Sequence, residues 1–257
     1  MSVGEGDLRV EQPSAAMAVS EALARIILTE MSPGISLPSE ADLAARYDVS
    51  RLTIREAVKL LEGRGLLAIA KGRRAVVREP SGAAFGDFLT TVSRYDSKGL
   101  LDLIEVRLSL EVQSATLAAK RATRAGIAAI ESELQGMREA AGAPGQPMSR
   151  QQEGEFHSHD LGFHEAVALA SGNRVLGYLF EAMSVPLRDG FFISRRGNDQ
   201  RGQTLHDTIA AHQRILDAIK ARSSRAAADA MRSHLKDSQS DLRAALNQPP
   251  LRRHGVE

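Results

Sequence analysis

Hydrophobic residues recur at helical spacing along most of this chain. Between residues 37 and 63 the pattern predicts two short helices with a break at Asp48-Val49. Ser39 and Ser50 stand directly before these helices, where a serine side chain can accept a hydrogen bond from the first turn and act as an N-cap. The buried stripe of the second helix is formed by residues at i, i+4 and i+7, namely Ile54, Val58 and Leu61.

The segment after the second helix alternates as two short strands do. Leu66–Ala70 and Ala75–Arg78 flank Lys71-Gly72-Arg73-Arg74, which supplies the glycine that a tight turn needs together with three cations. A basic hairpin directly after two such helices is a wing. We therefore predict a winged helix-turn-helix over residues 15–79, preceded by a flexible tail at 1–14.

The rest of the chain has almost only helical periodicity. Pro80 and Gly82 indicate a linker at residues 80–84, and a Gly/Pro-rich loop interrupts the helices at 141–148. Helices are predicted over residues 85–95, 100–120, 124–140, 150–171, 173–193, 203–221 and 224–245. Helices with short connections pack into an antiparallel bundle. The predicted fold class is thus mainly α, with a winged helix-turn-helix, an all-α bundle over 85–246 and a tail at 247–257.

Composition excludes several classes of protein. The 257 residues include no cysteine, which rules out disulfides and thiolate metal sites. No apolar run approaches the ~20 residues needed to cross a bilayer, and the N-terminus lacks the apolar core of a signal peptide. We therefore expect a protein of the cytoplasm with no membrane partner.

Positive charge is concentrated in the predicted winged helix-turn-helix. Residues 51–78 contain eight Lys and Arg against Glu56 and Glu62, a net charge of +6, while the whole chain carries only +1. Such a local cationic stripe is typical of a protein that binds the phosphate backbone of nucleic acid. Arg51 and Thr53 lie in the first turn of the second helix, the part of a recognition helix that enters the major groove. We therefore predict binding to double-stranded DNA.

One aspartate and three histidines have spacings that suit a metal site. Asp160 and His164 are at i and i+4, on one face of one helix. His212 and His234 are equidistant from a predicted turn at Ser223, so they lie at the same height in an antiparallel pair of helices. Imidazole with carboxylate suits zinc, our first expectation, and also nickel, manganese or iron. The alternative is that these histidines are hydrogen-bonded core residues.

The N-terminal segment resembles the winged helix-turn-helix of the GntR family of bacterial transcription regulators. The resemblance rests on Leu37-Pro38-Ser39-Glu40, Val49-Ser50-Arg51, Arg55-Glu56-Ala57, and Leu61-Glu62 before Gly65-Leu66. It implies DNA contacts by Arg51, Thr53, Arg55, Lys71 and Gly72, and Arg73 adds a cation to the wing. The sequence departs from the family at Ala41, where many members have an arginine, and at Arg74, where the wing usually has a second glycine.

Residues 85–245 resemble the all-helical FCD effector domain of the fatty-acid-regulator branch of that family. The pattern appears as Glu105-x-Arg107 with Glu111, Asp160-x-x-Phe163-His164, Ser171-Gly172-Asn173, His212-x-x-Ile215 and His234-Leu235. The resemblance implies that Asp160, His164, His212 and His234 ligate a divalent metal. It also implies a small organic acid as effector, held by the metal and by Arg107, whose alternative role is an ion pair with Glu105 or Glu111. Asn173 is a second candidate contact to the effector, or only a helix cap.

These observations predict a homodimeric, ligand-responsive repressor that binds a near-palindromic operator. A dimer is expected because one small winged helix-turn-helix contacts only one half of such an operator. Two rivals stand beside this function. Asp and His ligands can activate water, so a metal-dependent hydrolase with a DNA-binding head is one. Against the hydrolase, the sequence has no obvious general base beside the candidate ligands, since Glu165 points about 100° away from its neighbour His164. The other is a metal-free regulator that senses an acyl-CoA or a lipid. We expect that the protein is not an enzyme.

Overall fold

The computed structural model describes residues 14–70, 73–95 and 98–247. They form two compact units that divide between Ala84 and Phe85, and each unit has its own hydrophobic core. No helix in the described ranges is both long and apolar enough to span a membrane.

The first unit contains three helices and a two-stranded hairpin. These are α1 (Ala15–Glu30), α2 (Glu40–Tyr47), α3 (Arg51–Gly63), β1 (Leu67–Ala68) and β2 (Val76–Val77). Both predicted N-caps are confirmed: the Ser39 side chain accepts from Asp42 N–H in a full capping box, and the Ser50 side chain accepts from Thr53 N–H. Asp48 ends α2 in the left-handed conformation, with φ of 53°, which produces the tight break between α2 and α3.

The hairpin is antiparallel, with Leu67 opposite Val77 and Ala68 opposite Val76. It is shorter than the predicted strands because only these pairs form ladder bonds, while Ser36 adds an isolated bridge to Val76. The core beneath it consists of buried apolar residues from the helices and strands, among them Leu23, Leu37, Leu43, Ile54, Leu61 and Leu67. Lys71 and Gly72, the predicted tip of the wing, lie outside the described residues, as do most of the two predicted tails.

The second unit is a bundle of helices. They are α4 (Ala83–Tyr95), α5 (Lys98–Arg121), α6 (Arg124–Ala141), α7 (Arg150–Ala170), α8 (Arg174–Gln200), α9 (Leu205–Lys220) and α10 (Ser224–Leu246). Side-chain caps define where several of these helices begin. Ser149 before α7 and Thr204 before α9 each form a full capping box, and Ser223 before α10 accepts from Ala226 N–H. The core is built from helix faces, with Ile130, Leu134, Met137, Phe163, Ile215, Met231 and Leu235 fully buried.

Two predicted boundaries were wrong. The helix α4 begins at Ala83, inside the predicted linker. The helix α8 continues to Gln200 instead of ending near residue 193, and it contains Pro186. Its extra turns pack against α10, where a Cβ on Gly197 would lie 1.7 Å from the carbonyl oxygen of Asp241. Glycine at 197 therefore permits a backbone contact between helices that local periodicity does not indicate.

Candidate metal centre

The four residues predicted as metal ligands meet in the interior of the bundle. His164 of α7, His212 of α9 and His234 of α10 are buried, and one ring nitrogen of each lies within 4.8 Å of the others. The Nε2 atom of His164 is 3.3 Å from His212 Nε2 and 3.2 Å from His234 Nε2. Asp160 Oδ1 lies 3.2 Å from His212 Nε2, so three helices supply the four donors.

The turn between α9 and α10 explains how two of these histidines meet. His212 and His234 each stand eleven residues from Ser223, the N-cap of α10. Arg222 takes a left-handed conformation, with φ of 57°, and reverses the chain. The two rings then lie 4.3 Å apart between centroids. The predicted equal height of the two side chains is confirmed.

Two of the histidines are held with Nε2 facing the cluster. His212 Nδ1 lies 2.8 Å from the carbonyl oxygen of Thr208, which can only accept, so Nδ1 carries the proton and Nε2 has a lone pair. His164 Nδ1 lies 2.5 Å from Glu111 Oε2, a contact that has the same consequence. A carboxylate or carbonyl on the far side of a ligating imidazole orients the ring and raises its basicity as a ligand.

Glu111 connects this cluster to Arg107. The carboxylate of Glu111 contacts His164 through one oxygen and Arg107 Nε, at 2.5 Å, through the other. Burial by itself would raise the pKa of Glu111, but the charge of Arg107, followed by that of His164, outweighs it and lowers the pKa to about 2. The i, i+4 spacing indicates the pair of Arg107 with Glu111, whereas the contact between Glu111 and His164 joins distant helices and was missed from sequence.

The electrostatics of the cluster suit a cation. Burial acts to raise the pKa of Asp160, but a hydrogen bond from His212 and the positive charge of the neighbouring imidazoles, when these are protonated, lower it well below its usual value. Burial first, and then the neighbouring His212 and His164, lower the pKa of His234 well below its ordinary value. When His164 and His212 are both neutral, their Nε2 lone pairs face each other 3.3 Å apart and repel unless a positive charge lies between them. The donor set is that of a transition-metal site with carboxylate and imidazole ligands.

A cavity of about 520 Å³ adjoins the histidines. Arg107 lines it, and among the described contacts only Nε of its guanidinium is engaged by Glu111. Its remaining nitrogens suit a carboxylate, which arginine binds through two parallel hydrogen bonds. Asn173, the second predicted effector contact, does not line this cavity. It is exposed and caps α8 by accepting from Val175 N–H at 3.1 Å, so the structure favours the alternative reading as a cap.

Three further polar residues of the cavity were not selected from sequence. His157 stacks on Phe191 at 4.0 Å, and neither of its ring nitrogens has a hydrogen-bond partner among the described atoms. Burial is the main cause that lowers the pKa of His157. Arg195 and Asn198 line the same cavity from the end of α8 that was predicted as loop. If the predicted helix had continued past residue 193, both residues would have been considered as candidates for the site.

In the first unit, α3 presents its predicted DNA contacts outward. Arg51 and Arg55 are exposed one turn apart, and Arg73 of the wing is exposed as well. The Arg55 Nε atom pairs with Glu40 Oε2 at 2.7 Å, while Thr53 Oγ1 lies 2.8 Å from the Ser50 hydroxyl at the cap. These residues form a cationic surface on a capped helix that follows a tight turn, the arrangement of a DNA-reading head.

Sequence comparisons match both units. The profile of the family described as "Bacterial regulatory proteins, gntR family" matches residues 15–77, and the profile described as "FCD domain" matches residues 102–237. The second match alone covers more than half of the chain and includes Asp160 and all three clustered histidines.

Similar proteins are regulators of transcription. The chain is 29% identical to the Glc operon transcriptional activator of Escherichia coli (strain K12), over 87% of each chain. It is 30% identical to the HTH-type transcriptional repressor NanR of Citrobacter rodentium, over 80% of this chain and 76% of that protein. A solved structure, Streptococcus agalactiae GntR, is 27% identical, with a TM-score of 0.63 over 87% of this chain and 98% of that one.

Proposed function

Because the chain belongs to the GntR family of bacterial regulatory proteins and carries an FCD domain, it is a transcription regulator and not an enzyme, and we propose that it is a metal-dependent, acid-responsive repressor. Its helical unit would bind a divalent metal and a small organic acid. Its winged helix-turn-helix would bind DNA, which places its action in the cytoplasm.

The observation that carries the metal proposal is the convergence of Asp160, His164, His212 and His234, of which all but His212 line the cavity. Three buried imidazoles and a half-buried carboxylate, with an outer carboxylate behind one imidazole, are more organisation than hydrogen-bonded core histidines require. We favour zinc, with nickel, manganese and iron as alternatives, since imidazole and carboxylate ligands suit all of them. A bound metal would supply a Lewis-acidic position at which an effector carboxylate can complete the coordination.

The effector proposal rests on Arg107 beside these ligands. Its guanidinium is buried, lines the cavity and keeps nitrogens beyond the one that Glu111 engages. A small acid could therefore bridge the metal and Arg107. A ligand shifts DNA affinity only by binding one conformation of the regulator more tightly than another, so the acid must favour the state with weaker DNA binding if the protein is a repressor.

Homodimerisation is proposed because a single head reads only one half-site of an operator. The helical unit has an exposed apolar surface that a second copy could cover. On α4, Phe85 and Phe88 are exposed and stacked with centroids 6.1 Å apart, and Val92 continues the same face one turn later. Exposed apolar patches of this kind mark interaction surfaces. The operator would then be near-palindromic.

Metal content tests the centre directly. Tag-free protein purified without chelator is analysed by inductively coupled plasma mass spectrometry beside the His212→Ala/His234→Ala variant. As a matched control, His206→Ala removes a histidine from the same helix that contacts Gly142 O and not the cluster. We expect about one ion per chain in the wild type and the control and none in the double variant. Absence of metal from wild type that has also been incubated with zinc, nickel, manganese or iron would overturn the proposal.

DNA binding is tested by electrophoretic mobility shift on the promoter region of the protein's own gene. Arg51→Ala should weaken binding by roughly tenfold or more, because it removes a cation from the start of the recognition helix. Arg25→Ala removes the same charge from exposed α1 and is the control. Organic acids are then titrated into the metal-loaded complex. If no acid releases DNA, the proposed repressor mechanism fails, and tighter binding with an acid would make the acid a co-repressor.

A further inference from the structure

The end of the cavity formed by α8 and α10 contains buried polar atoms with no partner. Arg195 Nε and Nη1 and Asn198 Oδ1 have no hydrogen bond among the described atoms, although all three are buried. We propose that Arg195 and Asn198 form a second subsite, and that the effector is a hydroxylated dicarboxylate whose distal carboxylate binds Arg195. This inference rests on the proposed function, since the first carboxylate is the one at the metal and Arg107.

The missing partners indicate a ligand rather than a packing contact. A buried donor or acceptor without a partner costs free energy, so each such atom in a folded protein calls for an explanation. Arg195 has one described ion pair, in which Nη2 lies 3.4 Å from Asp199 Oδ1, and that pair leaves Nε and Nη1 unused. Cδ lies between these two nitrogens, so they point in different directions, and each can donate its own charge-assisted hydrogen bond to an anionic ligand.

The positive charge of Arg195 is not cancelled by the acidic side chains that line the same end. Arg201 holds Asp241 through a contact of 2.6 Å and Asp237 through one of 3.4 Å. Asp207 is engaged in the capping box at Thr204. Because these described carboxylates have their own partners, Arg195 keeps two nitrogens for an anion that enters the cavity, which Arg214 also lines.

The distance between the two ends defines the length of the effector. Asn198 Nδ2 lies 3.5 Å from Asp241 Oδ2, and Asp241 follows His234 by seven residues on α10. At 1.5 Å per residue these positions are roughly 10 Å apart along the helix. A ligand that reaches both must be elongated, with an acidic group at each end. A short acid such as acetate would occupy only the metal end.

Hydroxyl groups on the effector would satisfy the remaining atoms. Asn198 Oδ1 is an acceptor, so it needs a donor that a carboxylate does not provide. His157 lines the cavity with both ring nitrogens unpartnered, and it can accept from one hydroxyl and donate to another. Two unused arginine nitrogens together with neutral hydrogen-bonding groups favour a hydroxylated diacid over an aliphatic one.

Four acids of equal chain length separate the effect of a second carboxylate from the effect of hydroxyl groups. Hexanoate has one carboxylate and adipate has two, while gluconate and glucarate are their hydroxylated counterparts. Binding to the metal-loaded full-length protein is measured by isothermal titration calorimetry. We expect glucarate to bind best, at least about tenfold more tightly than gluconate, because a charge-assisted pair is added at Arg195. Equal affinity for gluconate and glucarate, or no binding of any of the four, would overturn the inference.

Two variants locate the effect. Arg195→Gln should abolish the preference for glucarate over gluconate, while Arg188→Gln, an exposed arginine of the same helix that does not line the cavity, should keep it. A preference that survives in Arg195→Gln contradicts the subsite. Metal content of the same samples separates this result from the proposed centre: both variants should keep their ion, and a metal-free wild type that still prefers glucarate would refute the metal but not Arg195.

Discussion

Replacing Glu111 by glutamine tests whether the buried carboxylate organises the site. The change keeps the size of the side chain and removes its charge. Glu111 is 3% exposed and Arg107 9% exposed, so neither is stabilised by water. The variant leaves the guanidinium without its counterion and replaces the carboxylate that contacts His164 Nδ1 at 2.5 Å. We therefore expect losses both in stability and in metal affinity.

The magnitudes follow from these contacts. Breaking one partner of a buried ion pair costs about 3–5 kcal/mol, because the other charge remains buried. The pKa of Glu111 gives a similar figure: lowering it from 4.5 to about 2 corresponds to roughly 3 kcal/mol in favour of the folded state at neutral pH. Since the folded pKa is the lower one, this contribution is complete above pH ~4.5 and disappears as the pH falls toward ~2. Loss of the outer carboxylate should also weaken metal binding by about 10–100-fold.

Stability is measured by urea unfolding with circular dichroism in the presence of a chelator, so that metal does not contribute. Metal affinity is measured separately by competition with a chromogenic chelator. The control is Glu105→Gln, the same change at an exposed position of α5, which should have little effect on either quantity. If Glu111→Gln matches Glu105→Gln in both assays, the carboxylate does not hold the site together. The difference in unfolding free energy between wild type and Glu111→Gln should shrink as the pH falls toward ~2. A difference that stays unchanged would show that the charge of Glu111 is not its cause.

Three further predictions concern DNA binding, helix packing and the metal. Glu40→Gln should raise DNA affinity in fluorescence anisotropy, because it frees Arg55 and removes a carboxylate that repels phosphate, while stability changes by less than about 1 kcal/mol since the pair is exposed; unchanged or weaker binding would contradict this. Gly197→Ala should lower the melting temperature, because its Cβ would lie 1.7 Å from the carbonyl oxygen of Asp241, with a cost of at least about 1–3 kcal/mol. Gly154→Ala, a helical glycine with nothing within 4 Å of the added Cβ, should instead be neutral or stabilising, and equal effects of the two substitutions would refute the packing argument. Metal affinity should fall in acid, since protons compete for the imidazole ligands, and the fall should come well below neutral pH because burial lowers the pKa of His234. A calorimetric titration that gives one affinity at about pH 7.5 and at about pH 4.5 would exclude histidine ligation.

Local signals in the sequence were sufficient for the DNA-binding unit. Ser39 and Ser50 were predicted as caps because hydroxyl caps act within one helical turn, and the structure confirms both. The spacing of Ile54, Val58 and Leu61 predicted a buried stripe, of which Ile54 and Leu61 are fully buried and Val58 is partly buried against the core. The hairpin was predicted from alternation over a few residues. Its exact strand lengths depend on which ladder bonds form, and the sequence overestimated them.

The convergence of the four candidate ligands was also predictable, for a geometric reason. Asp160 and His164 share a face because of the helical repeat, and His212 and His234 share a height because they are equidistant from one turn. Both arguments need only regular helices and one antiparallel connection. The structure brings these four side chains together, while ligation itself is the proposal that metal analysis decides.

By itself, the sequence determined the fold class, the caps and the candidate ligands, because each depends on spacing within one helix or across one turn. The tertiary structure decided what surrounds the ligands. It placed Glu111 behind His164, Arg195 and Asn198 in the cavity wall, and Asn173 at a helix cap outside it. These contacts depend on how helices distant in sequence rotate and approach one another. That arrangement is set by the packing of the whole core, which no local pattern encodes.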